Sequence, residues 1–253
     1  MIKNIVSVAV AMVGSGALLT GCNFDQPDAG CIVQDASSYN WVVKYDLKEG
    51  EVIAPGCETK INALKGENLG VFKFTDPEKE NSAVLTLRPQ GLYSRASRDP
   101  GDPYMQTAVG KLDEEPDPQD FCGAREFSAA TVNAAANASE AATAITYQFD
   151  NVKVFAAPSA PGTQLSADLT YTRDGCTAKF NVRAMWPARG CNADAPKQSD
   201  RCGEGSGINP DFAVTCDMGF RVNTSRDQVT GEPLYMGSCI PEKAIPSFKD
   251  DQE

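Results

Sequence analysis

The sequence predicts a mostly β protein held together by disulfide bonds, and three observations lead to that class. Short segments of alternating apolar and polar residues recur along the chain, while helical periodicity is rare. The 253 residues include 21 glycines and 16 prolines, which divide the chain into short elements. Nine cysteines are many for a chain of this size in a reducing compartment. We therefore expect a β-sandwich of seven or eight short strands, built as one unit or as two small β portions.

The first β portion is predicted at residues 31–88. Trp41, Val43, Tyr45 and Leu47 lie on one face of an alternating segment, which indicates a half-buried strand. Residues 58–65 favour a short helix that ends at Gly66, and residues 69–75 and 82–88 favour two further strands. This portion therefore contains at least three strands.

A change in composition divides the chain after residue 88. Residues 89–121 contain five prolines and many acidic residues, which is typical of a loop or linker. Residues 122–240 are predicted to form the main cysteine-rich β portion, and residues 241–253 a flexible tail. Residues 128–143 favour a strand followed by a loop. The clearest local signal is a hairpin, in which two alternating segments flank Arg173-Asp174-Gly175.

Charge and composition exclude several classes of function. The formal net charge of -11 has the wrong sign for coating a phosphate backbone, so we expect no nucleic-acid partner. The chain has no histidine, which excludes catalytic triads and metal sites that need an imidazole. Trp41 and Trp186 both lie on the apolar phase of predicted strands, so we expect them in the core and not on a sugar-binding surface.

Motifs for catalysis or cofactor binding are absent from the sequence. There is no Cys-x-x-Cys pair, no Gly-x-Ser-x-Gly and no P-loop lysine, and Gly205-Ser206-Gly207 lacks the strand-to-helix setting of a phosphate site. Two carboxylates without histidine would suffice for a hydrolase, but nothing selects a pair among 34 acidic residues. We therefore predict a protein that is not an enzyme and has no cofactor, and keep a carboxylate-dependent hydrolase as an alternative.

Acidic residues concentrate near the end of the proline-rich segment. Calcium is bound by six to eight oxygen ligands, often from such loops, although the EF-hand spacing is missing here. The calcium candidates are Asp113, Glu115, Asp117 and Asp120. A calcium-dependent or sugar-binding surface module that uses residues 99–120 is therefore a further alternative.

The first 22 residues carry an export signal. One basic residue, Lys3, precedes an apolar stretch that is shorter than the roughly 20 residues needed to span a bilayer. The stretch ends in Leu19-Thr20-Gly21-Cys22, which resembles the lipobox of bacterial lipoproteins. The resemblance implies a signal peptide at 1–21, acyl chains such as palmitate on Cys22, and a lipidated tether at 22–30. Because Asn23 follows the anchor where some bacteria use Asp for inner-membrane retention, it also implies the outer membrane.

Cysteine parity agrees with a lipid anchor at Cys22. Removing that residue leaves an even set that is predicted to form disulfides: Cys31, Cys57, Cys122, Cys176, Cys191, Cys202, Cys216 and Cys239. If the chain divides before Cys122, the local pairing is Cys31 with Cys57, while the other six cysteines allow 15 pairings.

A second resemblance concerns the hairpin. Residues 170–176 and Trp186-Pro187 are similar to segments of cysteine-rich envelope lipoproteins of myxobacteria, a family that implies no particular activity. We therefore predict an exported lipoprotein of the bacterial cell envelope with a binding or structural role. Its expected partners are the membrane, through the lipid, and an envelope protein or glycan; the sequence leaves open whether it faces the periplasm or the cell surface.

Overall fold

The computed structural model describes residues 30–35, 41–79 and 82–250. The predicted signal peptide, Cys22 and most of the tether therefore lie outside the described residues. No helix in these ranges is long and apolar enough to span a membrane.

The described chain is built mainly from strands. The strands are β1 (Trp41–Leu47), β2 (Gly66–Phe74), β3 (Val84–Pro89), β4 (Ala108–Leu112), β5 (Phe121–Arg125), β6 (Ala130–Ala134), β7 (Thr143–Phe155), β8 (Gln164–Arg173), β9 (Cys176–Met185), β10 (Gly190–Cys191), β11 (Val214–Asp217) and β12 (Gly237–Pro241). The α-helices are α1 (Glu58–Asn62) and α2 (Gln90–Tyr93), and 3-10 helices cover Ala96–Arg98, Pro103–Gln106 and Gln198–Arg201. The predicted mostly β class is confirmed.

Nine strands form one large antiparallel sheet in the order β5-β4-β3-β2-β1-β9-β8-β7-β6. An additional pairing of β5 with β7 closes this sheet on itself. The arrangement therefore differs from a sandwich of two facing sheets, because all nine strands belong to one hydrogen-bonded sheet that the β5–β7 pairing closes. The main core fills the inside of the closed sheet.

β5 and β6 are two halves of one interrupted strand, and both pair with β7. Phe121 lies opposite Phe155 and Ala134 opposite Thr143, so the antiparallel register shifts by one residue across the break. Glu126 has a left-handed φ of 58° at the break, and β7 has a register shift between Asp150 and Lys153 on the other side. Such bulges bend strands and increase twist, as closure requires.

Alternation along the strands explains which side chains enter the core. Trp41, Val43 and Tyr45 are buried, as predicted, while Leu47 is 38% exposed at the end of β1. The predicted hairpin is β8–β9, and its turn residues Asp174 and Gly175 have φ values of 49° and 80°. Both central residues of a type I′ turn need positive φ, so Gly175 suits this position. The predicted helix and the strand-then-loop segment are α1 and β6 with the turn that follows.

The small sheet, in the order β10-β12-β11, lies outside the closed sheet against β1 and β9. A second core fills the space between them. Val42 and Met185 point into it from the closed sheet, and Phe212, Ile240 and Phe248 enter it from the C-terminal part. The outward phase of β1 and β9 is thus apolar where the small sheet covers it and polar elsewhere.

All eight predicted cysteines form disulfides, but the predicted pairing of Cys31 with Cys57 is wrong. The bonds are Cys31–Cys122, Cys57–Cys176, Cys191–Cys216 and Cys202–Cys239. The first two join residues 91 and 119 positions apart, because sheet closure brings distant strands together. The assumption that each portion forms its own disulfides therefore fails.

The predicted division into two portions is also not seen. β1 of the first portion pairs with β9 of the second, and residues 89–121 contain α2, two 3-10 helices and β4. The tail predicted to be flexible is packed as far as Phe248, whereas Lys249 and Asp250 are exposed. Ser247 is buried and donates to the carbonyl oxygen of Ala213, and the Phe248 ring contacts Phe155 and Phe212. β4 of residues 89–121 is thus part of the closed sheet, and the C-terminal segment packs against the second core.

Packing of the tail predicts a measurable contribution to stability. We expect Phe248→Ala to lower the free energy of unfolding by about 2 kcal/mol, because the Phe248 ring packs against Phe155 and Phe212. The loss should be smaller than for a fully buried phenylalanine, because Phe248 is only partly buried. Val229→Ala, at a position that is 94% exposed, should change it by less than about 0.5 kcal/mol. Urea unfolding measures both changes in the free energy of unfolding. The disulfides are kept intact, and Cys22→Ser is added so that the chain carries no lipid. Equal effects of the two substitutions would contradict the packed tail.

Candidate functional site

The calcium candidates lie in the turn between β4 and β5, but the turn does not gather them. Asp113 forms an ion pair with Arg125, and Asp117 accepts backbone N–H groups of Gln119 and Phe121 at 2.9 Å each. Asp120 has a φ of 63°. Among the described residues, no three carboxylates approach within 4.8 Å of one another. The carboxylates of Asp113 and Asp117 thus shape the hairpin.

Of the two tryptophans expected in the core, Trp41 is fully buried, and its indole N–H donates to the carbonyl oxygen of Gln34 at 2.9 Å. Trp186 is partly buried and packs against the main core.

A cluster of polar groups that the sequence analysis did not single out surrounds Glu67 at one end of the closed sheet. The Tyr45 and Tyr147 hydroxyls both donate to Glu67 Oε1 at 2.9 Å, and the backbone N–H of Gly91 donates to Oε2. Arg95 donates to the carbonyl oxygen of Gly91 at 2.7 Å. The Glu67 cluster, defined as these five residues, ties α2 to β1, β2 and β7.

Position 91 requires glycine because of this close packing. A Cβ atom there would lie 2.8 Å from the Tyr147 hydroxyl oxygen and 3.1 Å from Glu67 Oε2. Any side chain at this position would therefore push α2 away from the carboxylate.

Burial is the largest influence on the pKa values of Glu67, Tyr45 and Tyr147. It raises the pKa of Glu67 above its usual range, although the hydrogen bonds from Gly91, Tyr45 and Tyr147 and the charge of Arg95 act in the opposite direction. Burial and the nearby Glu67 charge raise the pKa of Tyr45 and Tyr147 well above the usual value. Burial also raises the pKa of Tyr171 to about 12. The hydroxyls therefore stay protonated at neutral pH and act as donors.

The cluster predicts unequal effects of two identical chemical changes. Tyr147→Phe removes a donor to Glu67, so we expect a loss of about 1–3 kcal/mol in the free energy of unfolding. Tyr171→Phe, on a ring whose centroid is 5.0 Å from that of Tyr147, is the matched control, because its hydroxyl is not among the donors to Glu67. Its loss should stay below about 1 kcal/mol. Equal losses in urea titrations at pH 7 would contradict the structural importance of the Tyr147 bond.

A second site, the strand groove, lies on the outer face of β1, β9, β8 and β7. It has a volume of about 530 Å³. Its lining residues are Asp46, Asn151, Lys153, Ser166, Ala167, Asp168, Asn181, Val182, Arg183, Ala244 and Ile245. The strands supply the floor, and the packed C-terminal segment supplies one wall.

Two rows of polar side chains cross the floor of the strand groove. Asp46, Asn181 and Asp168 are direct cross-strand partners. In the neighbouring row, Arg183 is opposite Ser166, which is opposite Lys153 on β7. Because adjacent strands are about 4.8 Å apart, each row presents one polar group per strand at that interval.

Ion pairs hold the charged groups of the strand groove in place. Arg183 donates through Nε and Nη2 to Asp46 Oδ2 at 3.0 and 2.7 Å. Lys48 Nζ lies 2.6 Å from Asp168 Oδ1, and Asn151 donates to Asp168 Oδ2 at 2.7 Å. The hydrogen bond from Lys48 lowers the pKa of Asp168 more than partial burial raises it. Asp168 is therefore a charged acceptor at neutral pH.

The sequence carried a usable signal for Glu67 but only a weak one for the strand groove. Glu67 shares the inward phase of Leu69 and Val71 on β2, so a charged side chain among core positions marks it. The groove residues occupy outward positions, where polar side chains are ordinary in an antiparallel sheet. Their concave arrangement depends on the bulge in β7 and on the tail.

Comparison with known proteins identifies the family of this chain. The MlpA family model matches residues 39–187, which span the closed sheet from β1 to β9. A Myxococcus xanthus protein named "Putative lipoprotein MlpA" is 44% identical over 250 residues, covering 98% of this chain and 100% of the relative. No solved structure matches. The expected resemblance to myxobacterial lipoproteins is confirmed, and the chain belongs to the MlpA family.

Proposed function

We propose that this protein is a lipid-anchored module of the bacterial outer membrane that binds an envelope partner and does not catalyse a reaction. The full-length relative named as a lipoprotein and the sequence Leu19-Thr20-Gly21-Cys22 support the anchor. The observation that carries the binding role is the strand groove, whose charged side chains are fixed by ion pairs on a rigid floor. Preorganised donors and acceptors lower the entropic cost of binding.

The point where the described chain begins supports an orientation on the membrane. The backbone N–H of Cys31 donates to Glu114 O at 2.7 Å, and that of Gln34 donates to Gly162 O at 2.8 Å. These contacts hold the start of the chain at the end of the closed sheet with the β4–β5 and β7–β8 turns. Eight residues, 23–30, extend at most about 28 Å, so this end would face the membrane. The Glu67 cluster would then face away from it.

The anchor predicts the behaviour of a Cys22→Ser chain. We expect this variant to lose its acyl chains and to leave the membrane fraction, because Cys22 is the residue that would carry the lipid and the other eight cysteines are paired in disulfides. Fractionation of cells with mass spectrometry of the N-terminal peptide measures both. Asn23→Gln is the control and should stay lipidated and bound. A Cys22→Ser chain that resists extraction from membranes would contradict the anchor.

The electrostatics of the strand groove support binding over hydrolysis. A carboxylate-dependent hydrolase needs one carboxyl group with a raised pKa as its acid and a second carboxylate facing it. In the groove, Asp168 is a charged acceptor and Asp46 is paired with Arg183. Glu67 has the raised pKa, but both of its oxygens already accept hydrogen bonds inside the cluster.

The chemistry of the strand groove favours an envelope glycan as the ligand. A row with carboxylate and amide acceptors lies beside a row that carries the cationic donors Arg183 and Lys153, and sugar hydroxyls both donate and accept. A ligand carrying only negative charge would meet Asp46 and Asp168. The interval of about 4.8 Å between strands is close to the spacing of successive rings in an extended glycan chain. We therefore propose the sugar-binding site on the sheet and not at residues 99–120, where the sequence analysis expected it.

A groove-filling substitution tests this ligand. We expect the Cys22→Ser chain to sediment with purified peptidoglycan sacculi, and an added Ser166→Trp to weaken its binding about tenfold, the equivalent of about 1.4 kcal/mol, by occupying the groove floor. Thr86→Trp, which lies outside the groove on β3, is the matched control and should bind like the parent. No sedimentation of the parent, or equal binding by both variants, would contradict the glycan assignment.

A further inference from the structure

Two disulfides of the small sheet lie unusually close together. Cys191–Cys216 joins β10 to β11, and Cys202–Cys239 joins the segment after the third 3-10 helix to β12. The Sγ atoms of Cys191, Cys202 and Cys216 all lie within 4.8 Å of one another. We call these four residues the sulfur cluster. In an oxidised protein, this proximity places one disulfide within reach of a thiolate released from the other.

The register of the small sheet offers the sulfur cluster a second pairing. Cys216 and Cys239 are direct cross-strand partners in β11 and β12, so their side chains lie on the same face. Directly opposite residues have Cα atoms about 4.5–5.5 Å apart, within the range of disulfide bonds. Cys191 and Cys202 have Sγ atoms within 4.8 Å. A pairing of Cys191 with Cys202 and of Cys216 with Cys239 therefore fits the fold.

One sulfur of the cluster has access to solvent. Cys191, Cys202 and Cys239 are at most 3% exposed, whereas Cys216 is partly exposed and lines a cleft of about 380 Å³ together with Arg201 and Thr215. A positive charge beside a sulfur favours the thiolate over the thiol. An external thiol would therefore enter at Cys216, in a cleft to which Arg201 adds a positive charge that favours thiolates.

We propose that the sulfur cluster is a thiol–disulfide exchange site that switches between these two pairings. An external thiolate attacks Cys216 Sγ, which forms a mixed disulfide and releases the Cys191 thiolate. The Cys191 thiolate attacks Cys202 Sγ and releases the Cys239 thiolate. The Cys239 thiolate then attacks Cys216 Sγ and expels the external thiolate. Two disulfides are present before and after, so the thiol is a catalyst and no net oxidant or reductant is consumed.

The switch would change how one surface segment is held. In the observed pairing, Cys202 fixes the segment to β12. A neighbouring pocket of about 620 Å³ is lined by Gly203, Gly205, Gly207, Phe212 and Lys249. In the second pairing, Cys202 is tied to β10, and the attachment of this pocket wall to β12 is lost. The exchange would therefore change how one wall of this surface pocket is attached to the small sheet.

Disulfide mapping tests the switch directly. The intact protein is incubated with one tenth of an equivalent of reduced glutathione, quenched with acid, alkylated and digested with trypsin and the protease Asp-N, which places the four cysteines on separate peptides. We expect linked peptides of Cys191 with Cys202 and of Cys216 with Cys239 to accumulate. Cys31–Cys122 and Cys57–Cys176 serve as internal controls and should remain unchanged. Retention of the observed pairs alone, or reduction without these new links, would overturn the proposal.

Variants separate exchange from general loosening of the fold. Cys57→Ser with Cys176→Ser should leave the exchange in place, because that disulfide lies outside the sulfur cluster. Arg201→Gln should slow the appearance of the new links. Its charge-matched control is Lys249→Gln, which lines the neighbouring pocket and not the Cys216 cleft. Equal rates for these two variants would remove Arg201 from the mechanism, and loss of the exchange in the Cys57→Ser, Cys176→Ser variant would contradict a site confined to the sulfur cluster.

Discussion

The pairing of β1 with β9 is the constraint on which the rest of the structure depends. Six register pairs, from Val42 with Met185 to Leu47 with Phe180, join a strand near the start of the described chain to one more than 130 residues later. This pairing joins β1–β5 to β6–β9, so that the pairing of β5 with β7 can close the sheet around the main core, and it brings Cys57 to Cys176. It also brings Val42 and Met185 side by side on the outside, where the small sheet covers them.

Local structure followed from the sequence, whereas strand partners did not. Alternation identified β1, β8 and β9 because the side-chain period of a half-buried strand is visible in one segment. Nothing within β1 indicates that its second neighbour is β9, because the backbone groups that pair strands are the same in almost every residue. The disulfides show the same limit. Parity indicated which cysteines pair, but choosing Cys31 with Cys57 assumed local loops, and closure made the distant partners the near ones.

The two candidate sites also differ in how far the sequence could predict them. Glu67 was detectable in principle, because a carboxylate on the inward phase of β2 has to find donors, and the tyrosines on β1 and β7 supply them. The strand groove was not detectable, since Asn181 and Ser166 are ordinary outward residues until a bulge and the C-terminal wall make their surface concave. The tail was predicted to be flexible, yet the Phe248 ring and the hydrogen bonds of Ser247 hold it against the second core.

The family match covers the closed sheet and leaves out the small sheet with its two disulfides. Residues 39–187 include the closed sheet, the Glu67 cluster and the floor of the strand groove, whereas the sulfur cluster and the groove wall at Ala244 and Ile245 lie beyond them. Arg183 connects the two parts, because it pairs with Asp46 on the floor and donates to the carbonyl oxygens of Pro241 and Glu242 in the wall. A change at β12, which carries Cys239 and ends at Pro241, would therefore reach the strand groove through Arg183 without any change in the closed sheet.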